Sequence, residues 1–187
     1  MDKRAFLAGA LLAVFGVGCT TTSTTRGDPA AERRSIDASV DGALSKLYAQ
    51  AQGSRELTGR AKGVLVFPSV VSAGLGVGGS YGQGALRIGG RTDGYYSTTA
   101  ASVGLLAGAD SKAVYVLFMT QDALDKFRAS KGWTAGVDAS VTMLNVGASA
   151  AISTQTAQQP IVGYALSNAG LMANLSLDGT KINKLDF

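Results

Sequence analysis

Few residues in this chain are of a type and spacing suited to chemistry. Gly74-Leu75-Gly76-Val77-Gly78-Gly79 fits the G-x-G-x-x-G spacing of a dinucleotide-binding turn, and Asp93 lies near the distance at which an acidic residue would meet a ribose. A helix must open at such a turn, and Ser80-Tyr81-Gly82-Gln83-Gly84 is a poor helix start. The glycines read better as bends in strands. Asp122 and Asp125 stand three apart on a predicted helix. In a first helical turn such a pair is favoured by the helix dipole and stays solvated. Asp110 and Asp138 have no acidic neighbour in sequence. Hydroxyls are plentiful, but the chain has no His, so a Ser-His-Asp or Cys-His relay and His-ligated zinc are excluded. No Ser-x-x-Lys supplies a lysine base, and no G-x-x-x-x-G-K-[ST] phosphate loop is present. The single Cys, Cys19, excludes an internal disulfide and a Cys-cluster metal site. The expectation is a protein without catalytic residues, metal or cofactor.

What remains is binding. Among 187 residues, 17 Lys+Arg oppose 13 Asp+Glu for a net charge of +4, 46% are hydrophobic and 16% charged. That balance argues against disorder and supports one packed domain. It permits attraction to anionic surfaces and does not argue for nucleic acid. Six bases fall close together: Arg33, Arg34, Lys46, Arg55, Arg60 and Lys62. An apolar helical stripe beside a basic face suits a membrane surface, so these six are the lipid-binding candidates, with anionic phospholipid as the ligand. The alternative is an ordinary amphipathic helix packed on a sheet, with its bases in water. Asp37 and Asp41 on the same helix favour that alternative. Trp133 and the Tyr95-Tyr96 pair fit either interfacial aromatics or core, with core the commoner role.

The elements that would position these residues begin after an N-terminal leader. Lys3-Arg4 precede an uncharged apolar run from Ala5 to Val17, then Gly18-Cys19 and a Thr/Ser-rich stretch. The run is too short to span a bilayer. It resembles a bacterial lipoprotein signal peptide over residues 1–18, which implies lipidation at Cys19 and a flexible tether over 19–28. The third residue before the Cys is Gly16, where that class usually has an aliphatic residue. Thr20 after the Cys fits sorting to the outer membrane. A lipid-anchored cell-envelope protein is therefore expected.

Asp28-Pro29 reads as a helix start, with Ile36, Val40, Leu44, Leu47 and Ala51 as the stripe and Gly53 as the C-cap. A short helix over 54–61, capped by Ser54, is expected next. From Gly63 short strands alternate with glycine: Val64–Phe67 ended by Pro68, then Leu75–Tyr81 and Gly84–Gly90. A turn at Thr92-Asp93-Gly94 leads to strands opening at Tyr95-Tyr96, over Ala100–Ala107 and over Ala113–Met119. Thr120 caps a helix to Ala129 with Leu124 and Phe127 inward. Further strands are expected over Trp133–Val137, Val141–Ile152 and Ile161–Leu166. Leu171–Leu177 and Thr180–Phe187 read as a hairpin about Asp178-Gly179. The fold class is α+β: a curved antiparallel sheet or small barrel-like β core with an N-terminal amphipathic helix, forming a single domain over 29–187.

Four segments carry a family likeness. Ala61-Lys62-Gly63-Val64-Leu65-Val66-Phe67-Pro68, Gly82-Gln83-Gly84-Ala85-Leu86, Ser102–Asp110 and Tyr164–Gly179 resemble, in order and spacing, the SYLF family, also called the Ysc84 actin-binding domain family. The likeness spans about residues 35–187, and the leader points to its bacterial lipoprotein branch. Tyr96-Ser97-Thr98-Thr99 stands where the family often has a Trp-Ser-Pro-like segment, and Asp178 where it has Glu. The resemblance implies binding without catalysis: eukaryotic relatives bind phosphoinositide membranes and actin filaments. A bacterial envelope offers neither, so lipid binding, of anionic headgroups or acyl chains, is the function expected to transfer. An envelope interaction protein that binds another protein through the same domain is the alternative.

Overall fold

The computed structural model of the chain describes residues 28–144, 158–167, 170–171 and 176–187. The expected leader, Cys19, the tether up to Gly27, the end of the Val141–Ile152 strand and part of Leu171–Leu177 lie outside the described residues. The chain opens with α1 (Pro29–Gln50) and α2 (Ser54–Arg60). Two long strands follow, β1 (Gly63–Ile88) and β2 (Arg91–Phe118), then α3 (Gln121–Ala129). Five short strands complete the order: β3 (Trp133–Thr134), β4 (Thr142–Met143), β5 (Ile161–Ser167), β6 (Gly170–Leu171) and β7 (Lys181–Leu185).

α1 starts where Asp28 and Pro29 place it. The Asp28 carboxylate accepts from the Ala30 N–H at 3.0 Å, satisfying one of the free donors of the first turn. Ile36, Val40, Ala43 and Leu47 are buried at helical spacing, so the stripe packs on the sheet. Two expectations at the next junction are corrected. Ala51, not Gly53, is the C-cap, and Gly53 adopts the left-handed conformation (φ 79°) as the N-cap of α2. Ser54 is already helical; its hydroxyl donates back to the Leu47 carbonyl and ties the two helices together.

The expected run of short strands is replaced by two strands of 26 and 28 residues, paired antiparallel along their whole length. Pro68 does not end β1: the strand passes it through a register shift between Phe67 and Val70, where a missing N–H can be accommodated. The connecting turn is Gly89-Gly90, both at positive φ, and not Thr92-Asp93-Gly94, which lies inside β2. Two successive left-handed residues match the twist a two-residue hairpin requires.

β1 also folds back on itself. A Cβ on Gly82 would lie 2.7 Å from the Ser69 carbonyl oxygen, and one on Gly84 would run into that of Val66. Only glycine allows the two limbs of the strand to approach so closely. Between them, residues 71–81 and their partners 99–111 on β2 form an elbow, with a second register shift between Leu75 and Val77. The result is a curled half-barrel.

β2 is the spine: its end pairs with β5 and its start with β7, giving the order β3-β7-β2-β5-β4, with β1 on β2 and β6 on β5. β4 runs parallel to β5, so the sheet is not wholly antiparallel. The Asp178-Gly179 turn forms, with Gly179 at φ 78°, and β7 pairs with β2 and β3. The Trp133–Val137 strand shortens to two residues. One core lies under α1, where its stripe meets Val64, Val66, Tyr115, Leu117 and Tyr164. A second joins Phe67, Leu86, Tyr96, Phe118, Phe127 and Trp133. Thr120 caps α3 through the Ala123 N–H, and Leu124 and Phe127 are buried. No helix among the described residues is long and apolar enough to cross a membrane.

Candidate lipid-binding surface

The elbow reverses the usual economy of a strand. Its odd-numbered residues are exposed: Val71 (49%), Ala73, Leu75 (83%), Val77 (69%), Gly79 and Tyr81 (51%). The alternate positions Ser72, Gly74, Gly78 and Ser80 are small and half-buried. Strand alternation therefore turns an apolar row to the solvent and a row of small residues to the interior. Ser69–Leu86 on β1 and Gly94–Ala109 on β2 hold no charge, and the one charge in the elbow is Asp110, exposed and paired with Ser72. An open groove of about 520 Å³ runs along this surface, lined by Ser69, Val71, Ala73 and residues 79–83. Contiguous apolar exposure of this kind marks an interaction site rather than scattered surface residues.

A second, smaller cleft opens at the foot of the elbow. About 200 Å³ in volume, it is lined on α1 by Ser39, Ala43 and Lys46 and on the sheet by Pro68, Ser111, Lys112 and Leu166. The Tyr115 phenol in its wall is occupied by the Ala43 carbonyl, to which it donates at 2.8 Å. Burial pushes Tyr115 up to about 12, so this phenol stays protonated at neutral pH.

A third cavity, of about 340 Å³, lies between α1, α2 and the Gly89-Gly90 turn, with Tyr48, Arg55 and Arg87 in its walls. Here the charge is already balanced. Arg87 meets Asp41 at 2.7 Å and Asp37 at 3.4 Å. Asp37 also accepts from the Thr92 hydroxyl at 2.7 Å and the Tyr95 hydroxyl at 2.9 Å. Burial, then the hydrogen bond to Asp37, raises the Tyr95 hydroxyl above its ordinary value. This network joins α1 to the hairpin, a structural role for Asp37 and Asp41 that local sequence does not reveal.

The six basic candidates do not form one face. Arg33 donates to the Phe187 main-chain oxygen at 2.8 Å and lies over that ring. Arg34 pairs loosely with Asp28, and Arg60 with Glu56. Arg55 stacks on Tyr48 at 4.5 Å. Lys62 is exposed at the start of β1. Lys46 alone among them lines the cleft beside the elbow. Lys112 also borders that cleft, but it pairs with Val70 of the second core, so strand alternation turns its side chain to the sheet face opposite α1. The α1 stripe is buried, so the helix packs as its two Asp residues suggested. Trp133 and Tyr96 are core, and Tyr95 is half-buried against Phe187. Asp122 pairs with Lys126 and Asp125 with Gln121, all exposed. Asp138 accepts from the Thr134 N–H and holds the turn after β3. The glycine-rich motif lies within β1, with no helix following it, which removes the dinucleotide reading. Among the described residues no three His, Cys, Asp or Glu gather as a metal site.

Residues 99–186 match the family model of Ysc84, described as Las17-binding protein actin regulator. The match covers β2 from the elbow onward, α3 and strands β3–β7; α1, α2 and β1 fall outside it. No curated protein matches the chain.

Proposed function

We propose that this protein is a lipid-anchored, non-catalytic component of the bacterial cell envelope, held at the outer membrane through Cys19, whose folded domain binds a phospholipid surface. The observation that carries the reading is the exposed apolar row Val71, Ala73, Leu75, Val77 and Tyr81 on the elbow, with Lys46 in the cleft at its foot. Among the described residues β1 bonds only to β2, so its outer edge keeps free backbone groups. Such groups do not enter hydrocarbon. The elbow therefore rests at the boundary between headgroups and acyl chains, a level that suits the amphipathic ring of Tyr81.

A second reading is favoured by the same free edge and by the family description, which names binding of a protein. In that reading the elbow adds a strand from a partner.

Sedimentation of the Cys19→Ser chain with vesicles of graded anionic content separates the two. The lipid reading predicts binding that rises with anionic lipid and weakens with salt, as screened charges do. Absence of binding at every composition would leave the anchor as the only membrane element and favour a protein partner. In cells, Cys19→Ser should abolish fatty-acid labelling; unchanged labelling would remove the anchor.

A further inference from the structure

The cavity of about 340 Å³ between α1, α2 and the Gly89-Gly90 turn lies outside the elbow, and its volume suits a small molecule. Arg87 in its wall serves two carboxylates, Asp37 and Asp41. Asp37 is held further by the Thr92 and Tyr95 hydroxyls. The Asp41 carboxylate has only the Arg87 contact, through one of its oxygens, and its side chain is 70% exposed. Arg55 is the opposite charge left over. Its guanidinium stacks over the Tyr48 ring, and among the described residues none of its N–H groups has an acceptor. Asp41 and Arg55 thus line one cavity without pairing with each other.

The rest of the lining adds two kinds of group. The Gly89 and Gly90 N–H groups lie outside the strand ladder, and among the described residues neither has an acceptor. Nothing stands within 4 Å of where a Cβ would lie on either glycine, so the approach is open. Leu44, Ala61 and Val64 form an apolar patch. An unpaired cation and a carboxylate with a spare oxygen, apart in one cavity, complement a ligand that carries both charges and is neutral overall. The planar fork of Arg55 suits a carboxylate, and its stack on Tyr48 holds the fork in place. From this juxtaposition we propose that the cavity binds a free amino acid with an apolar side chain. Its carboxylate meets Arg55 and the turn amides, its ammonium meets Asp41, and its side chain packs on Leu44, Ala61 and Val64. The site is independent of the lipid reading, and neither stands or falls with the other.

In the test, the full chain with Cys19→Ser, isotope-labelled on nitrogen, is titrated with L-phenylalanine and followed by its amide resonances. The Gly89 and Gly90 signals should move and saturate with a Kd of about 1 mM or below. Phenylalaninamide lacks the carboxylate and hydrocinnamate lacks the ammonium, so each should bind about tenfold more weakly or worse. Arg55→Gln should cost phenylalanine a similar factor. Lys46→Gln, which removes a charge outside the cavity, should cost less than about twofold. Asp41→Asn should weaken phenylalanine and spare hydrocinnamate, which has no ammonium to lose; loss of both alike would overturn the pairing with Asp41. Equal losses in Arg55→Gln and Lys46→Gln, or three ligands that bind alike, would overturn the site. So would phenylalanine at tens of millimolar that leaves the Gly89 and Gly90 signals unmoved.

Discussion

Replacing Leu75 and Val77 together by Asp alters the most solvent-exposed apolar side chains of the elbow, at 83% and 69%. So little of either side chain is packed that folding stability should change by no more than about 0.5 kcal/mol. The membrane-bound state has more to lose. Full burial of a Leu or Val side chain is worth about 1.5–3 kcal/mol. Scaled by the exposed fractions, the pair supplies roughly 2–5 kcal/mol of transfer energy. At about 1.4 kcal/mol per tenfold, affinity should fall at least 30-fold, before counting the cost of two carboxylates at the interface. The assay is vesicle sedimentation of the Cys19→Ser chain beside a thermal melt of the same sample. Affinity within threefold of the parent, at unchanged melting temperature, would refute the role of the elbow. A lowered melting temperature would show instead that the elbow is packed more firmly than its exposure indicates.

The fold-back of β1 makes a sharper demand. Gly84→Ala sets a methyl group against the Val66 carbonyl oxygen, which is backbone and cannot swing away. It should cost about 3 kcal/mol or more, whereas Gly59→Ala, with open space around it, should be neutral or stabilising by up to about 1 kcal/mol. Comparable denaturation midpoints for the two variants would contradict the contact between the limbs. Tyr115 and Tyr164 are both pushed up to about 12 by burial, against 10.0 for a free phenol. The folded state keeps these protons after the unfolded state has released them. Stability is thus full below pH 10 and falls through the interval to pH 12, by about 1.4 kcal/mol per tyrosine per pH unit. Phenolate absorbance and loss of circular dichroism should rise together there; ionisation of all tyrosines near pH 10 without unfolding would contradict the burial.

Local signals served the helices well. Asp28-Pro29 marks the start of α1, Thr120 caps α3, and the stripe from Ile36 to Ala51 identifies the buried face, because capping and periodicity act within a few residues. The strands were legible in existence but not in length. Glycine reads locally as punctuation, whereas in β1 it lets one continuous strand bend until its two limbs come into contact. Gly89-Gly90 and Thr92-Asp93-Gly94 both carry turn chemistry, and only the pairing of Ile88 with Arg91 selects the first. The partners of β7 lie far along the chain, and the Asp178-Gly179 turn is fastened beside β3 by the Gly179 N–H donating to the Ala135 carbonyl, a contact that local sequence does not reveal. The same limit applies to the site. The six bases cluster in sequence, while packing of α1 on the sheet sets Lys46 in a cleft and leaves Arg33 on Phe187 and Arg55 on Tyr48. The exposed row of the elbow was hidden for a related reason: alternating apolar residues read as a half-buried strand, and nothing local tells which face is left uncovered.

The central claim, that the elbow meets the lipid, is tested most directly by environment-sensitive fluorophores at two exposed apolar positions. One is attached through Val77→Cys on the elbow, the other through Val137→Cys in the loop after β3, each in the Cys19→Ser chain. Both side chains are highly exposed, at 69% and 79%, so neither label should disturb the core. On adding anionic vesicles, the label at position 77 should shift to the blue and brighten while that at 137 keeps its aqueous spectrum. A chain that sediments with vesicles while the label at position 77 stays aqueous, or whose two labels respond alike, would contradict the account.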